Sequence, residues 1–220
     1  MSEDDGAELT AAAAQLQVAL DSRQARQLLT LLDELARWNR SYNLTAITDR
    51  RDMIVRHLLD SLAVHQWLAG ERIIDVGTGA GFPGLPLATL EPERQFTLLD
   101  ANGKKLRFVA HAARTLGLHN VVTVHCRAEA HAPAVPYDTV LTRAFAPLPE
   151  LLAQVTGMSD ARTRVLALKG RRNADERAAM PADWEIEADL DLAIPGLAEA
   201  RHVLLLRRAR AAAVGPASLR

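Results

Sequence analysis

The chain has 220 residues, 49% of them hydrophobic, and its 26 basic and 27 acidic side chains leave a net charge of −1. This length fits one α/β domain with a small extension, and no apolar run reaches the roughly 18 residues of a membrane span. Cys126 is the single cysteine, which excludes an internal disulfide framework and is typical of a reducing cytoplasm. Since the acidic start does not resemble a signal peptide, we expect a cytoplasmic protein without membrane contact.

Helical periodicity runs through the first part of the chain, to about residue 68. Leu28, Leu32, Leu35 and Trp38 fall on one stripe of a predicted helix, and Tyr42 continues it. Two segments, Asn43-Leu44-Thr45 and Thr48-Asp49, break this pattern and can cap the next helix. We expect residues 1–70 to form a helical extension that packs on the core.

Short apolar runs alternate with helical segments in the rest of the chain, which predicts a mainly parallel sheet with helices on both faces. The last two strands have no helix between them and are predicted to form an antiparallel edge hairpin. The predicted strands are 72–76, 95–100, 121–125, 137–142, 163–168, 184–192 and 201–207, with helices near 83–90, 103–116, 147–156 and 173–179. We expect residues 71–208 to form this seven-stranded domain and 209–220 a disordered tail.

A glycine-rich turn after the first predicted strand is the most informative segment. Asp75 precedes three alternate glycines, Gly77, Gly79 and Gly81. Glycines let a chain turn tightly and let a ligand approach, and such a turn is expected to leave free N–H groups at the start of the next helix. Asp100 ends the second predicted strand, where a carboxylate can accept hydrogen bonds from ribose hydroxyls. Together these features predict a pocket for a ribose-bearing cofactor.

The glycine spacing bears on which cofactor this is. Dinucleotide folds use G-x-G-x-x-G, whereas Gly77, Gly79 and Gly81 read G-x-G-x-G. S-adenosylmethionine has no pyrophosphate and therefore needs no helix N-terminus aimed at a phosphate. The pattern favours S-adenosylmethionine; a nicotinamide or flavin dinucleotide and a turn without any ligand remain alternatives.

Residues that directly follow the other strands are further candidates, because ligands of such sheets lie beyond the carboxyl ends of the strands. Ala128 and Glu129 follow the third strand and are predicted to pack against an adenine edge and accept its hydrogen bonds. Arg143 follows the fourth strand and suits a cofactor carboxylate or an RNA phosphate, since guanidinium groups bind both anions. An ordinary turn and a surface salt bridge are the respective alternatives.

Basic side chains cluster locally despite the balanced net charge. Lys169, Arg171 and Arg172 follow the fifth strand, and Lys104 with Lys105 begins a predicted helix. A solvated surface is the ordinary role of such clusters. We nevertheless predict that Arg171, Arg172, Lys104 and Lys105 contact RNA phosphates.

Several reaction types are not indicated, because the sequence lacks the residues that they usually require. No Asn/Asp-Pro-Pro-aromatic motif follows the fourth strand, so methylation of an exocyclic base amine is not indicated. Cys126 is poorly placed to attack a pyrimidine ring, and the seven histidines lack metal-ligand spacing, so no metal is expected. A nucleophile with a free lone pair, such as guanine N7, needs only orientation and proximity.

Four motifs besides the glycine turn occur in an order that resembles the bacterial RsmG (GidB) family of 16S rRNA guanine-N7 methyltransferases. They are Trp38-Asn39-Arg40-Ser41-Tyr42-Asn43-Leu44-Thr45, Arg56-His57-Leu58-Leu59-Asp60-Ser61-Leu62, Arg143-Ala144-Phe145 and Leu168-Lys169-Gly170. The resemblance spans roughly residues 28 to 206. It implies a Rossmann-like class I methyltransferase fold, S-adenosylmethionine as cofactor, and 16S rRNA or the small ribosomal subunit as partner.

Position by position, the resemblance implies cofactor contacts at Gly77, Phe82, Ala128, Glu129 and Arg143. The turn reads Gly79-Ala80-Gly81-Phe82 where the family pattern has Gly-Pro-Gly-Leu, and both glycines are kept.

No catalytic acid or base is predicted. His57, Asn43 and Lys169 are possible substrate-side residues. His57 and Ser61 are four residues apart and are expected to share a helix face that lines the cleft, although His57, Asp60 and Ser61 also suit a polar network that holds the helices on the sheet. Asn43 equally suits a helix cap.

The sequence predicts a monomeric enzyme that transfers a methyl group to guanine N7. Two other functions remain open, namely a ribosome-assembly factor that uses the cofactor only as a ligand and a nicotinamide-dependent oxidoreductase.

Overall fold

A computed structural model describes residues 3–143 and 146–209 of the chain. Its strands are β1 (Arg72–Val76), β2 (Gln95–Asp100), β3 (Val121–His125), β4 (Thr139–Arg143), β5 (Arg164–Lys169), β6 (Trp184–Asp191) and β7 (His202–Arg208). They form one seven-stranded sheet in the order β3-β2-β1-β4-β5-β7-β6. The first five strands pair in parallel, while β7 is antiparallel to both β5 and β6. The predicted mainly parallel sheet and its antiparallel edge hairpin are confirmed.

Helices cover both faces of this sheet and precede it. They are α1 (Glu3–Gln15), α2 (Ser22–Tyr42), α3 (Arg50–Met53), α4 (Asp60–Leu62), α5 (Gly84–Leu90), α6 (Gly103–Leu116), α7 (Leu148–Val155) and α8 (Ala174–Ala178). A π-helix at Ile54–Leu59 connects α3 to α4, and short 3-10 helices lie at His65–Trp67, Ala128–Ala130 and Thr156–Met158. None of the helices in the described ranges has the length and apolarity needed to cross a membrane.

Two hydrophobic clusters lie on opposite faces of the sheet. Ile73 belongs to the cluster beneath the N-terminal helices, and its neighbour Ile74 belongs to the cluster beneath α7. This division follows from the strand period of two, which sends successive side chains to opposite faces. The N-terminal helices therefore share a continuous core with one face of the sheet. The predicted tail falls outside the described residues, apart from Ala209.

Helix α2 is held by a capping box at its start, where Asp21 and Gln24 exchange side-chain-to-backbone hydrogen bonds of 2.7 and 3.1 Å. It then packs along α6 in the antiparallel direction. Gln27 near its start donates to the Leu116 carbonyl at 2.6 Å, and Trp38 near its end contacts Phe108.

The helix that follows is not uniform. Asp49 caps α3 as predicted, accepting the Asp52 N–H at 3.0 Å. The chain then widens into the π-helix, so that the N–H of Asp60 bonds the carbonyl of Val55, five residues earlier. Such widened turns are frequent at functional sites. As a result, His57 and Asp60 face the same cleft.

Candidate cofactor and substrate site

A cleft of about 530 Å³ opens beyond the carboxyl ends of β1, β4 and β5. The glycine turn forms one wall through Gly77 and Gly79, and Lys169 with Gly170 forms the opposite wall. The N-terminal extension closes the cleft from above with residues of the α2–α3 loop and the π-helix. Those residues are Leu44, Thr45, Ile47, Arg56, His57 and Asp60, the last at the start of α4.

A smaller cavity of about 290 Å³ adjoins this cleft. It is lined by Asp100 together with Ala128 and Glu129, and it shares Gly77 and Lys105 with the larger cleft. The structure thus brings together all three residues that were predicted after the second and third strands. Because the two spaces meet at Gly77, they form one elongated site.

The glycines of the turn serve different purposes. Gly77 and Gly79 have φ values of 70° and 61°, which favour glycine. A Cβ placed on Gly79 would come no nearer to another group than the Gly77 carbonyl oxygen, at 3.9 Å. On Gly81, by contrast, a Cβ would lie 2.4 Å from Leu85 Cδ1. Gly79 therefore leaves open space for a ligand, whereas Gly81 permits close packing.

Asp75 organises this turn from beneath. Its Oδ2 accepts the Thr78 hydroxyl at 2.6 Å and the Gly84 N–H at 2.9 Å. The expectation of free N–H groups at the start of the next helix is therefore wrong for Gly84, because the Asp75 carboxyl group already occupies that donor. A pyrophosphate would have to compete with it, which argues against a dinucleotide. Burial raises the pKa of Asp75 from 3.8 to about 6.

Asp100 faces the smaller cavity and is fixed by backbone donors. Its Oδ2 accepts the Gly79 N–H at 2.8 Å, and its Oδ1 accepts the Asn102 N–H at 2.7 Å. A carboxylate has about four lone-pair sites, so two remain for a ligand. Asp100 is thus oriented to accept hydrogen bonds from a pair of hydroxyl groups.

Arg143 lines the cleft and is anchored within it rather than at the surface. Its Nη1 donates to the Arg56 carbonyl at 3.0 Å and to Asp60 Oδ2 at 3.1 Å. Arg201 Nε lies 3.6 Å from the other Asp60 oxygen. Within the described ranges, Arg143 Nε and Nη2 have no partner, so they remain able to bind an anion.

His57 packs between the helical extension and the glycine turn. Its ring stacks on Phe82 with centroids 4.6 Å apart, and its Nε2 lies 3.1 Å from Thr45 Oγ1. Burial and the nearby Arg143 guanidinium lower the pKa of His57 from 6.5 to about 4, so the ring is uncharged at neutral pH. Its predicted companion Ser61 is fully buried and donates to the His57 carbonyl. The π-helix changes the expected spacing, and Ser61 does not line the cleft.

A pH dependence of stability follows from this His57 pKa. In the unfolded chain His57 becomes protonated as the pH falls below 6.5, whereas in the folded protein it stays unprotonated until about pH 4. The free energy of unfolding therefore decreases as the pH falls through that window. His57→Gln should remove about 2 kcal/mol of this loss between pH 7 and pH 5. Urea unfolding of both proteins at the two pH values is the measurement, and equal losses would contradict it. Asp75 is present in both proteins, so its opposite pH dependence cancels.

The remaining candidates lie around the rim. Asn43 adopts the left-handed conformation (φ 48°) and caps the end of α2, with its N–H bonded to the Asn39 carbonyl. Lys169 donates to Glu176 at 2.9 Å and to the Ala146 carbonyl at 2.8 Å. Asn43 thus has the structural role that the sequence left open.

The basic residues differ in how far their charge is neutralised. Arg172 forms ion pairs with Asp189 and Asp191 at 3.1 and 2.6 Å. Lys104 and Arg171 are exposed and have no ion-pair partner in the part of the chain that the structure describes. Across the same ranges, no group of three or more His, Cys, Asp or Glu side chains is arranged to hold a metal ion.

Some residues of the cleft had no clear signal in the sequence. Arg201 comes from the loop before β7 and was not singled out in the sequence. Arg56 stood in the Arg56–Leu62 motif, but its pairing with Glu199 at 2.6 Å could not be read from the sequence. Thr45 was visible within the Trp38–Thr45 motif, but its contact with His57 depends on how the loop folds back.

Comparison with known proteins identifies the family. The family model described as rRNA small subunit methyltransferase G (GidB) matches residues 24–204. The chain belongs to this family. A protein from Pseudomonas aeruginosa (strain LESB58) named "Ribosomal RNA small subunit methyltransferase G" is 46% identical over 202 residues, covering 91% of this chain and 94% of that protein. A protein of the same name from Pseudomonas syringae pv. tomato is 44% identical over 201 residues, covering 91% and 95%.

Solved structures that resemble this chain share its fold. Magnesium protoporphyrin IX methyltransferase from Synechocystis, with bound SAM, aligns with a TM-score of 0.57 at 17% identity, covering 87% of this chain and 99% of that one. TrmN from Thermus thermophilus aligns with a TM-score of 0.54 at 22% identity, covering 71% and 53%. These similarities confirm the predicted Rossmann-like methyltransferase fold.

Proposed function

We propose that this protein transfers a methyl group from S-adenosylmethionine to N7 of a guanine in small-subunit ribosomal RNA. The observation that carries the proposal is the family match over residues 24–204, which includes the glycine turn, Asp100 and the whole cleft. We further propose that the protein acts in the cytoplasm as a monomer on 16S rRNA or the small ribosomal subunit.

The elongated site suits S-adenosylmethionine in shape and in hydrogen-bonding groups. Open space above the Gly79 backbone admits a ligand, and the two free acceptor positions of Asp100 suit a ribose diol. In our proposal Ala128 and Glu129 contact the adenine in the smaller cavity. Arg143 uses its unpartnered nitrogens for the carboxylate of the methionine part.

Two further residues complete the cofactor site in this proposal. Gly77 lies where the two cavities meet, so its backbone would contact the middle of the ligand. Phe82 is buried beneath His57 and beside Arg143, and it forms part of the cleft wall. The replacement of the family's leucine by Phe82 adds a flat ring there and keeps the wall apolar.

Orientation is the main contribution of the protein to the reaction. When bound, S-adenosylmethionine supplies an electrophilic methyl group. Guanine N7 carries a lone pair in the ring plane, so its attack requires no proton removal. The described residues of the cleft therefore need only hold the base in line and exclude water. His57 is uncharged at neutral pH and is, with Asn43 and Lys169, a candidate contact for the base.

Labelled methyl transfer to small ribosomal subunits, followed by mapping of the modified base, tests this function. We expect label in 16S rRNA at a single guanine that becomes 7-methylguanosine. Cofactor binding without any incorporation would instead favour the assembly-factor function, and binding of nicotinamide dinucleotides without S-adenosylmethionine binding would favour an oxidoreductase.

RNA contact is proposed mainly for Lys104, Lys105 and Arg171, whose charges are unpaired across residues 3–143 and 146–209, and only weakly for Arg172, whose charge is paired with Asp189 and Asp191. Neutralising Lys104 and Arg171 together should weaken binding to small subunits and lower the slope of log affinity against log salt by up to roughly 1.4–1.8. Arg172→Ala in the same loop is the matched control. Since Asp189 and Asp191 already compensate the charge of Arg172, Arg172→Ala should change the slope less than Lys104→Ala or Arg171→Ala alone. A larger effect of Arg172→Ala would overturn this assignment, and binding across a salt series measures it.

A further inference from the structure

An exposed aromatic residue stands at the end of α2. Tyr42 is 42% exposed, which makes it one of three large hydrophobic residues left exposed within the described ranges. One face of its ring is covered by Trp38, with centroids 5.2 Å apart and planes inclined by 30°. The exposed part of Tyr42 lies outside this contact. The protein thus presents a flat aromatic surface to its surroundings.

This aromatic surface is rigidly supported. Trp38 is itself wedged against α6, with ring centroids 5.7 Å from Phe108 and 5.0 Å from His111. A ring held from behind loses little freedom when a second ring stacks on its outer face. Tyr42 with Trp38 will be called the aromatic platform.

The aromatic platform is joined to the rim of the cleft. The Asn39 side chain donates to the Thr45 carbonyl and accepts the Thr45 N–H, both at 2.9 Å. This pair of hydrogen bonds fixes the loop from Asn43 to Thr45 against the end of α2. Leu44 and Thr45 line the cleft directly. The platform and the cleft wall are therefore parts of one rigid unit.

Basic side chains stand beside the aromatic platform. Helices α2 and α6 run antiparallel, with Gln27 beside Leu116, Glu34 beside His111 and Trp38 beside Phe108. The same register places Tyr42 beside the first turn of α6, which carries Lys104 and Lys105. Neither lysine has an ion-pair partner across residues 3–143 and 146–209, and Lys105 also lines the cleft. A flat apolar ring beside free cations is complementary to a nucleotide.

We propose that the aromatic platform stacks an unpaired nucleobase that neighbours the target guanine, while Lys104 and Lys105 contact its phosphates. This inference rests on the proposed function, because it assumes an RNA substrate. A guanine whose N7 enters a cleft must leave its stack, and the adjacent exposed base then needs a new partner. Aromatic side chains provide that partner in single-stranded RNA recognition.

Substitutions at Tyr42 separate stacking from packing. Tyr42→Leu keeps an apolar contact with Trp38 but removes the flat ring, and we expect it to weaken binding to small ribosomal subunits by on the order of 5- to 100-fold. The salt dependence should stay unchanged, because no charge is lost. Tyr42→Phe keeps the ring and should bind within about threefold of the parent. Equal affinity of the Leu and Phe variants would overturn the proposal.

Val135→Ser is the matched control. Val135 is 50% exposed, and its carbonyl accepts from Arg72 at the start of β1, so it lies at the opposite end of the sheet from the cleft. Its substitution should leave affinity unchanged. Thermal unfolding of each variant confirms that it is folded.

The identity of the occupant is tested by placing the photo-crosslinking amino acid p-benzoylphenylalanine at position 42 and irradiating the complex with small subunits. A crosslink from position 42 to ribosomal RNA supports the platform, whereas a crosslink to a ribosomal protein alone, or none at all, overturns it. Absence of methyl transfer by the parent protein would reject the proposed function separately, since the affinity measurements do not depend on turnover.

Discussion

The Gly79→Leu variant is expected to lose S-adenosylmethionine binding by more than about 100-fold, whereas Gly79→Ala should lose roughly 5- to 100-fold. The reason is geometric. A Cβ at Gly79 would enter space in which the nearest group is the Gly77 carbonyl oxygen at 3.9 Å, and our proposal places the ligand in that space. Each added carbon therefore removes room from the cofactor. Calorimetric titration with S-adenosylmethionine measures the series.

The two Gly79 variants control for each other. Both place a non-glycine residue at φ 61° and should cost a similar, roughly 1–2 kcal/mol, in unfolding free energy. A difference in their cofactor affinity therefore reports occlusion and not backbone strain. If both bound the cofactor as tightly as the parent, the site would have to lie elsewhere.

Asp75→Ala should produce the largest loss of stability among the substitutions considered. The buried Thr78 hydroxyl and Gly84 N–H would both lose their acceptor, which is expected to lower the unfolding free energy by roughly 2–4 kcal/mol. The turn between β1 and α5 would no longer be held, so cofactor affinity should fall as well. Urea unfolding at pH 7 and calorimetric titration are the measurements.

Asp75→Asn is the conservative comparison, because its amide oxygen can still accept both hydrogen bonds. We expect less than half of the stability loss of the Ala variant. The raised pKa of Asp75 also makes the stability of the parent protein depend on pH. In the parent this group contributes stability below pH 3.8 that disappears as the pH rises through about 6, and the Asn variant should lack that dependence. Equal stability losses in both variants would show that the hydrogen bonds to Asp75 do not hold the turn.

Local patterns in the sequence determined the framework of this protein. Short apolar runs that alternate with helical segments predicted all seven strands and their edge hairpin to within about two residues at every end. The reason is that a sheet buried on both faces requires apolar runs, and glycines mark where those runs must turn. Ligands of such sheets bind beyond the carboxyl ends of the strands. This regularity indicated Asp100, Ala128, Glu129 and Arg143, which all line the joined cavities.

Only the tertiary structure decided how the helical extension completes the site. The π-helix was not predicted from the sequence, yet it places both His57 and Asp60 at the cleft. Asp60 pairs with Arg143 and Arg201, which come from distant parts of the chain. Whether a basic side chain is free or paired also depends on such contacts. Arg171 and Arg172 are adjacent residues of the same type, so the sequence does not distinguish them. Of the two, only Arg172 forms ion pairs with carboxylates of β6, because neighbouring residues of a loop point in different directions.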